Sequence, residues 1–301
     1  MRLPRALPFF FLPFLLFCLA LRPEPVQPKE PAGNSPSGRT NFTGKYLTRI
    51  LERGKIIIGI QKDYHPFHIQ NPVRGYPGID AEVARRLARA LGVKLELRFL
   101  PLHDLLKAVS SAKIDLSLGG ISSSLRRSRL AHFTPPYLIT TPAGLLARSA
   151  LPPESGSVNF PRRDYKSLSD IRTLGKLALG VKKGTTNERL LRSRPEFRKH
   201  SIVTFANRTQ LVAALKSGRV DVLVADGIYI KSLLLKNSDL QEKFLSLTQT
   251  YSEEHICIAL PRGDAEYWNY MNFFVREIRR SGFMAGLRSK YLESGAWIKN
   301  R

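Results

Sequence analysis

Three short segments carry side chains able to grip a small charged molecule. In GGISSSLRRSRLAHFTPPYL (119–138), Arg127 stands in a Ser-rich loop after an apolar strand. A planar guanidinium there can hold a carboxylate through two parallel hydrogen bonds. GTTN (184–187) opens a helix, so free backbone N–H groups and Thr hydroxyls collect at a positive helix end that suits an anion. Asp226 closes the apolar run VDVLVAD (220–226), where a carboxylate is costly unless it meets a cation. Each feature also has a plain structural explanation. Arg127 is one solvated arginine among Arg126, Arg127 and Arg129, the serines at 122–124 suit loop capping, and Thr185 and Thr186 suit a helix N-cap. No Ser-His-Asp order, HExxH pair, phosphate loop or dinucleotide fingerprint accompanies them. Two cysteines cannot build a four-ligand zinc site, and neither metal nor cofactor is expected.

The elements that must position these loops form an α/β pattern. KIIIGI (55–60) reads as a strand, GIDAEVARRLARALG as a helix with Ile79, Val83, Leu87 and Leu91 on one face, and VKLELRF (93–99) as a strand. The helix LHDLLKAVSSA and the strand IDLSLGG (114–120) follow, a β-α-β-α-β run that predicts a parallel sheet with right-handed crossovers. The order recurs in KLALGV (176–181), a helix near 187–193, IVTF (202–205), TQLVAALKSG and VDVLVAD. The copies also match residue by residue: 105–120 aligns on 211–226 at an offset of 106, and 55–62 on 176–183 at an offset of 121. Two similar lobes place a ligand in the crevice between their strand C-terminal ends, so the loops at 61–67, 119–127, 182–187 and 225–229 are where chemistry is expected. Asp115 and Asp221 pair in the repeat and are expected to be structural.

The 301 residues include 48 Lys and Arg against 24 Asp and Glu, a formal charge of +24. That length suits two domains, and 43% hydrophobic residues exclude a disordered chain. The first 45 residues hold six basic and two acidic side chains, so about +20 remains in the body. The basic residues are spread over both copies without aromatic interleaving, which argues against a nucleic-acid site and for surface adaptation or attraction to an anionic membrane face. Arg2 and Arg5 precede an apolar run broken by Pro8 and Pro13, the pattern of a secretory signal over 1–20. Lipidation of Cys18 and an uncleaved anchor are the alternatives. Residues 21–45 read as a Pro-rich linker, Cys257 as a small buried hydrophobe, and the sequons at Asn41 and Asn207 as chance occurrences.

GGISSSLRRSRLAHFTPPYL, GVKKGTTNERL (180–190) and KSGRVDVLVAD (216–226) together resemble the periplasmic amino-acid-binding proteins of ABC importers, the family 3 solute-binding proteins. IGIQKDYHPFHI with GYPGIDAEVARRLARALGV resembles the family's opening, and the segment GDAEYWNYMNFFVREIRRSGFMAGLRSKYLESG its C-terminal helices. The resemblance covers about 46–295 and implies the two-lobed α/β fold of type II periplasmic binding proteins. It implies lobe one over 46–140 plus 255–301, lobe two over 145–248, and crossings near 139–146 and 248–257. It further implies a monomer in the periplasm that captures an amino acid by hinge closure and delivers it to membrane subunits of an ABC transporter. Arg127 becomes the carboxylate clamp. Ser122 and the carbonyls of Gly119 or Gly120 bind the ligand's charged groups, Thr185 and Thr186 contact it, and Asp226 holds its ammonium. Gln61, Tyr64 and Leu102 stand at positions around the ligand side chain. On this reading Arg127 and Asp226 lack partners until the ligand arrives.

Departures from the pattern qualify the ligand. Relatives that take cationic amino acids often carry Asp where this chain has Gln61, which argues against arginine or lysine, although Asp63 or Asp80 can supply charge. Lys182 and Lys183 replace residues often apolar or amide-bearing, which favours an acidic side chain. The loop at 150–166 is long and has no assigned role. The segments also resemble cyclohexadienyl and arogenate dehydratases, the enzymatic alternative to a binding protein. Those enzymes place a Glu three residues after the Asp226 position, where this chain has Tyr229; Glu253, Glu254 or His255 are the candidates to act as acid instead.

Overall fold

The computed structural model describes residues 44–62, 64–152 and 164–298. The expected signal segment, nearly all of the linker, Cys18, Asn41, Asp63 and most of the loop at 150–166 lie outside the described residues. Twelve strands are described: β1 Lys55–Ile60, β2 Lys94–Phe99, β3 Leu116–Ser117, β4 His132–Phe133, β5 Leu138–Thr140, β6 Pro142–Ala147, β7 Ala178–Lys182, β8 Ser201–Phe205, β9 Val222–Asp226, β10 Phe244–Leu247, β11 Glu254–Ile256 and β12 Ala259–Leu260. The α-helices are α1 Lys45–Arg53, α2 Ile79–Leu91, α3 Leu102–Ser110, α4 Leu125–Ser128, α5 Thr186–Ser193, α6 Arg208–Lys216, α7 Gly227–Lys236, α8 Asp239–Lys243, α9 Ala265–Arg280 and α10 Phe283–Leu292.

Two five-stranded sheets share one plan, in the orders β2-β1-β3-β12-β4 and β8-β7-β9-β6-β10. The first three strands of each are parallel, joined through helices, as the repeated β-α-β-α-β pattern predicts. Each sheet then takes an antiparallel strand, β12 beside β3 and β6 beside β9, which the repeat alone does not show. The short antiparallel pair β5–β11 sits where the chain passes between the sheets, Ile139 facing His255. No described helix is long and apolar enough to cross a membrane.

The duplication is visible in single contacts. The Asp115 carboxylate accepts the Ile57 N–H at 2.7 Å and the Asp221 carboxylate accepts the Ala178 N–H at 2.7 Å, which are matching positions of the two copies. Gly59 and Gly180 match as well. A Cβ on Gly59 would lie 2.5 Å from Ile114 and 2.9 Å from Leu105, and one on Gly180 would lie 2.8 Å from Leu211 and 3.0 Å from Val220. Each strand therefore needs glycine so that α3 or α6, and the residue leading toward β3 or β9, can close over it. Strand β3 is shorter than its predicted span, because the chain turns away at Gly119 and Gly120, with φ of +98° and +60°.

Asp115 is buried and also pairs with Arg49 at 2.7 Å and with Arg53. Cys257 is a buried free thiol between β11 and β12, and Asn207 caps α6 by accepting from the Gln210 N–H at 2.9 Å. The C-terminal helices dock against α1 and α2. Tyr291 and Lys290 hold Glu82 at 2.6 and 2.7 Å, and α10 also meets α7.

Candidate functional site

The C-terminal ends of the inner strands of both sheets open onto one cleft. Gln61 follows β1, Leu102 heads α3, and Gly120, Ser122 and Arg127 follow β3. Across from them, Lys182 ends β7, Thr185 and Thr186 begin α5, and Asp226 ends β9. With Tyr64, nine of the ten residues singled out in the sequence line the cleft, and Gly119 stands directly behind it, its carbonyl accepting from the Gln61 side-chain amide. The cleft is closed down to a cavity of about 30 Å³, room for about two water molecules.

Several bonds cross it. The Tyr64 hydroxyl donates to the Asp226 carboxylate, and Lys182 Nζ donates to Gln61 Oε1 at 2.8 Å. Arg127 Nη2 reaches the Gly184 carbonyl at 3.4 Å. The Arg208 guanidinium lies over the Tyr64 ring, 3.2 Å from its centroid. Gly120 lets Tyr64 come this close, since a Cβ there would lie 2.6 Å from the ring.

The two expected clamps are already engaged. Asp226 caps α7, accepting the Tyr229 N–H at 2.8 Å with one oxygen and the Tyr64 hydroxyl with the other. Arg127 donates to the Ser122 carbonyl at 2.7 Å. This corrects the expectation that both ions lack partners without ligand: local helix capping and loop carbonyls supply them. Burial, with Arg189 nearby, lowers the Arg127 guanidinium to about 10, so it stays charged at neutral pH. Thr185 is the N-cap of α5, accepting from the Glu188 N–H at 3.2 Å and donating to the Lys182 carbonyl, so the capping explanation holds for it. Thr186 instead turns its hydroxyl to Glu254. Asp80, proposed as a source of charge in the site, supports the loop instead. It accepts the Gly119 and Gly120 N–H groups at 2.6 and 3.1 Å and the Tyr137 hydroxyl at 2.6 Å, and burial raises its carboxyl to about 7.

Of the three acids or bases on the crossing strand, Glu254 reaches the cleft. One of its oxygens accepts from Ser122 and Thr186, while the other has no hydrogen-bond partner among the described residues, and burial followed by the nearby Asp226 pushes its pKa up. His255 and Glu253 pair with each other at 3.1 Å, both exposed. Arg208 lines the cleft without having been singled out, as does Asn187, the last residue of the GTTN segment. The repeat held the signal for Arg208, because the offset of 106 carries Leu102 onto it. No cluster of three metal-ligating side chains occurs among the described residues.

Twin α/β sheets bridged by two crossing segments around a charged cleft define a solute-binding protein. The chain belongs to family 3 of the bacterial extracellular solute-binding proteins, whose model matches residues 56–294. It is 26% identical over 249 residues to a cyclohexadienyl dehydratase of Pseudomonas aeruginosa, covering 82% of this chain and 86% of that protein. To the L-cystine-binding protein TcyJ of Escherichia coli it is 25% identical, covering 81% and 85%. A putative binding component of an ABC transporter from Wolinella succinogenes, solved with lysine, shares the fold with a TM-score of 0.70 at 23% identity, covering 81% of this chain and 98% of that one.

Proposed function

We propose that the protein captures an amino acid or similar small carboxylate in this cleft and delivers it to the membrane subunits of an ABC importer. The observation that carries the reading is the placement of Arg127 and Asp226. They are buried ions of opposite sign, one following β3 and the other ending β9, and both line the same cleft. In this reading the halves are lobe one, 46–140 with 255–301, and lobe two, 145–248, turning about the paired β5 and β11. Arg127 with Ser122 and Thr186 takes the carboxylate, and Asp226 takes the ammonium in exchange for the Tyr64 hydroxyl. Ligand contacts made by both lobes favour the closed state by differential affinity. The protein works as a monomer outside the inner membrane. A thermal-shift screen of the twenty amino acids tests it. Ligand at 100 times its dissociation constant stabilises by about 2.7 kcal/mol, and no shift with any amino acid overturns the amino-acid reading.

Glu254 favours a second reading, a dehydratase related to the P. aeruginosa enzyme. A buried carboxyl with a free oxygen and a raised pKa is a proton donor in waiting. With prephenate, Glu254 gives its proton to the departing hydroxyl as the C–O bond breaks. The ring carboxylate leaves as carbon dioxide and its bonding pair makes the ring aromatic. Water and phenylpyruvate are the other products, and solvent reprotonates Glu254. Incubation with prephenate separates the readings: phenylpyruvate formed by the wild type and not by Glu254→Gln supports the enzyme, and absence of turnover leaves the binding protein.

A further inference from the structure

We propose that the side chain of the bound amino acid ends in a carboxylate, and that Lys182 and Arg208 hold it at the end of the cleft closed by Gln61 and Tyr64. The inference rests on the amino-acid reading and adds the ligand's class.

Charge balance is the first argument. Arg127, Lys182 and Arg208 all line the cleft, and none of them forms an ion pair among the described residues. The acids lining it are Asp226 and Glu254, and burial drives Glu254 toward its neutral form. A zwitterion with a neutral side chain satisfies Arg127 and Asp226 and leaves the Arg208 charge, joined below about pH 7 by that of Lys182, closed in beside it, which is costly in a dry site. A second carboxylate removes that cost.

Placement is the second. Lys182 and Arg208 come from neighbouring segments of the second repeat, the end of β7 and the head of α6. Lys182 Nζ touches the Gln61 amide oxygen, and the Arg208 guanidinium carbon lies 3.2 Å from the Tyr64 ring centroid and 5.3 Å from that of Tyr229. Both therefore end against Gln61 and Tyr64, and the proposal runs the ligand's side chain to that end of the cleft. The repeat pairs Lys182 with Gln61 and Arg208 with Leu102. The two lobes thus present unlike walls to the side chain: amide and apolar from lobe one, cationic from lobe two.

Lys182 also supplies a signature. Desolvation and then the Arg208 charge lower its pKa to about 7. The other charged or titratable groups lining the cleft are Arg127, Tyr64, Asp226 and Glu254. An anion bound against Lys182 restores its proton, so above pH 7 binding takes up a proton. Affinity then falls with rising pH by up to about tenfold per unit until the pKa of the complex is passed.

Calorimetry on the wild type compares L-glutamate and L-aspartate with L-glutamine, L-asparagine and L-arginine, at pH 6 to 9 and in two buffers of different ionisation enthalpy. We expect one of the two acids to bind about tenfold or more tighter than its amide. Proton uptake near pH 8 is expected to disappear in Lys182→Met. Lys182→Met and Arg208→Met should each lower affinity for the acid by about tenfold more than for its amide, and Lys182→Gln should behave as Lys182→Met does. If an amide or arginine binds as tightly as the acids, the carboxylate assignment is wrong and the amino-acid reading stands. If none of the twenty amino acids binds, that reading falls and the assignment falls with it.

Discussion

The Tyr64 hydroxyl donates across the cleft to the Asp226 carboxylate, so an acid at the end of β9 is tied to an aromatic ring from the loop after β1. The Tyr229 N–H holds the second oxygen of the same carboxylate. Asp226 caps α7 and, in the proposed function, takes the ligand's ammonium, and the two roles separate by mutation. Asp226→Ala should weaken ligand binding by about 30-fold or more, from a loss of about 2–5 kcal/mol when the ligand's charge is left unpaired. It should also lower stability by about 1 kcal/mol through the lost cap. Tyr64→Phe keeps the cap and releases only the cross-cleft bond, so the ligand-free protein should populate the open state more. Small-angle scattering reads this as a larger radius of gyration without ligand and an unchanged one with it. Equal affinity for Asp226→Ala and wild type would remove Asp226 from the site.

Glu254 should make stability pH-dependent in a direction opposite to that of most acids. Its pKa in the folded protein is raised above the ordinary value by burial first and by Asp226 second. The folded state therefore binds more protons than the unfolded chain, and stability falls as pH rises from about 4.5 through the raised value. Glu254→Gln keeps an acceptor for Ser122 and Thr186 and removes the titration. Melting temperatures across pH 4 to 8 should fall more steeply for wild type than for Glu254→Gln; parallel profiles would show that Glu254 is not buried as an acid.

Much of this site was legible in the sequence because strand ends and loop glycines leave strong local marks. Asp226 after four apolar residues, GTTN at a helix start and Arg127 after a Gly-Gly turn each follow from local chemistry. The duplicated sheets followed from periodicity and from the two constant offsets. What stayed hidden depends on contacts distant along the chain. Glu254 stood in the sequence as one of three acid candidates with Glu253 and His255, and the contacts that single it out lie 132 residues away at Ser122 and 68 at Thr186. Arg208 carries no local mark beyond its place in the repeat opposite Leu102, and its stacking on Tyr64 brings it inside. The antiparallel β12 and β6, which complete the sheets, arise where the chain crosses between them, and no repeat marks that crossing.

His65 should make closure sensitive to acid. Its ring packs between Tyr229 of α7, at 4.8 Å, and Trp297, at 5.8 Å, and its Nδ1 lies 2.8 Å from Ser232 Oγ. These contacts join the segment after β1 to the helix after β9. Burial, with Lys236 and Arg208 adding repulsion, lowers its pKa to about 3. A ring that stays neutral in the packed state and charges at about pH 6.5 once released costs stability as pH falls below about 6.5, down to about 3. Ligand affinity should therefore weaken from pH 6.5 to pH 5, and less so in His65→Gln, which keeps a polar partner for Ser232 without titrating there. An affinity that is flat between pH 5 and 7 in wild type would rule out His65 as the acid-sensitive contact.

The paired aspartates of the repeat give the control that separates fold from site. Asp115 ties Ile57 to Arg49 and Arg53, and Asp221 ties the matching Ala178 N–H without an ion pair among the described residues. Both lie at the opposite end of their strands from the cleft, before β3 and β9 begin. Removing Asp115 leaves two guanidinium groups and a buried N–H without their acceptor, a loss of about 2–3 kcal/mol, whereas removing Asp221 strands one N–H at about 1–2 kcal/mol. Asp115→Ala should thus lower stability to urea more than Asp221→Ala, although the two positions are equivalent in the duplication. Neither change should shift ligand affinity more than about threefold when measured well below the melting temperature, because neither carboxylate lines the cleft. Chemical unfolding with calorimetry on the same samples checks both halves, and a large affinity loss with unchanged stability for either variant would move the candidate site away from the cleft assigned here.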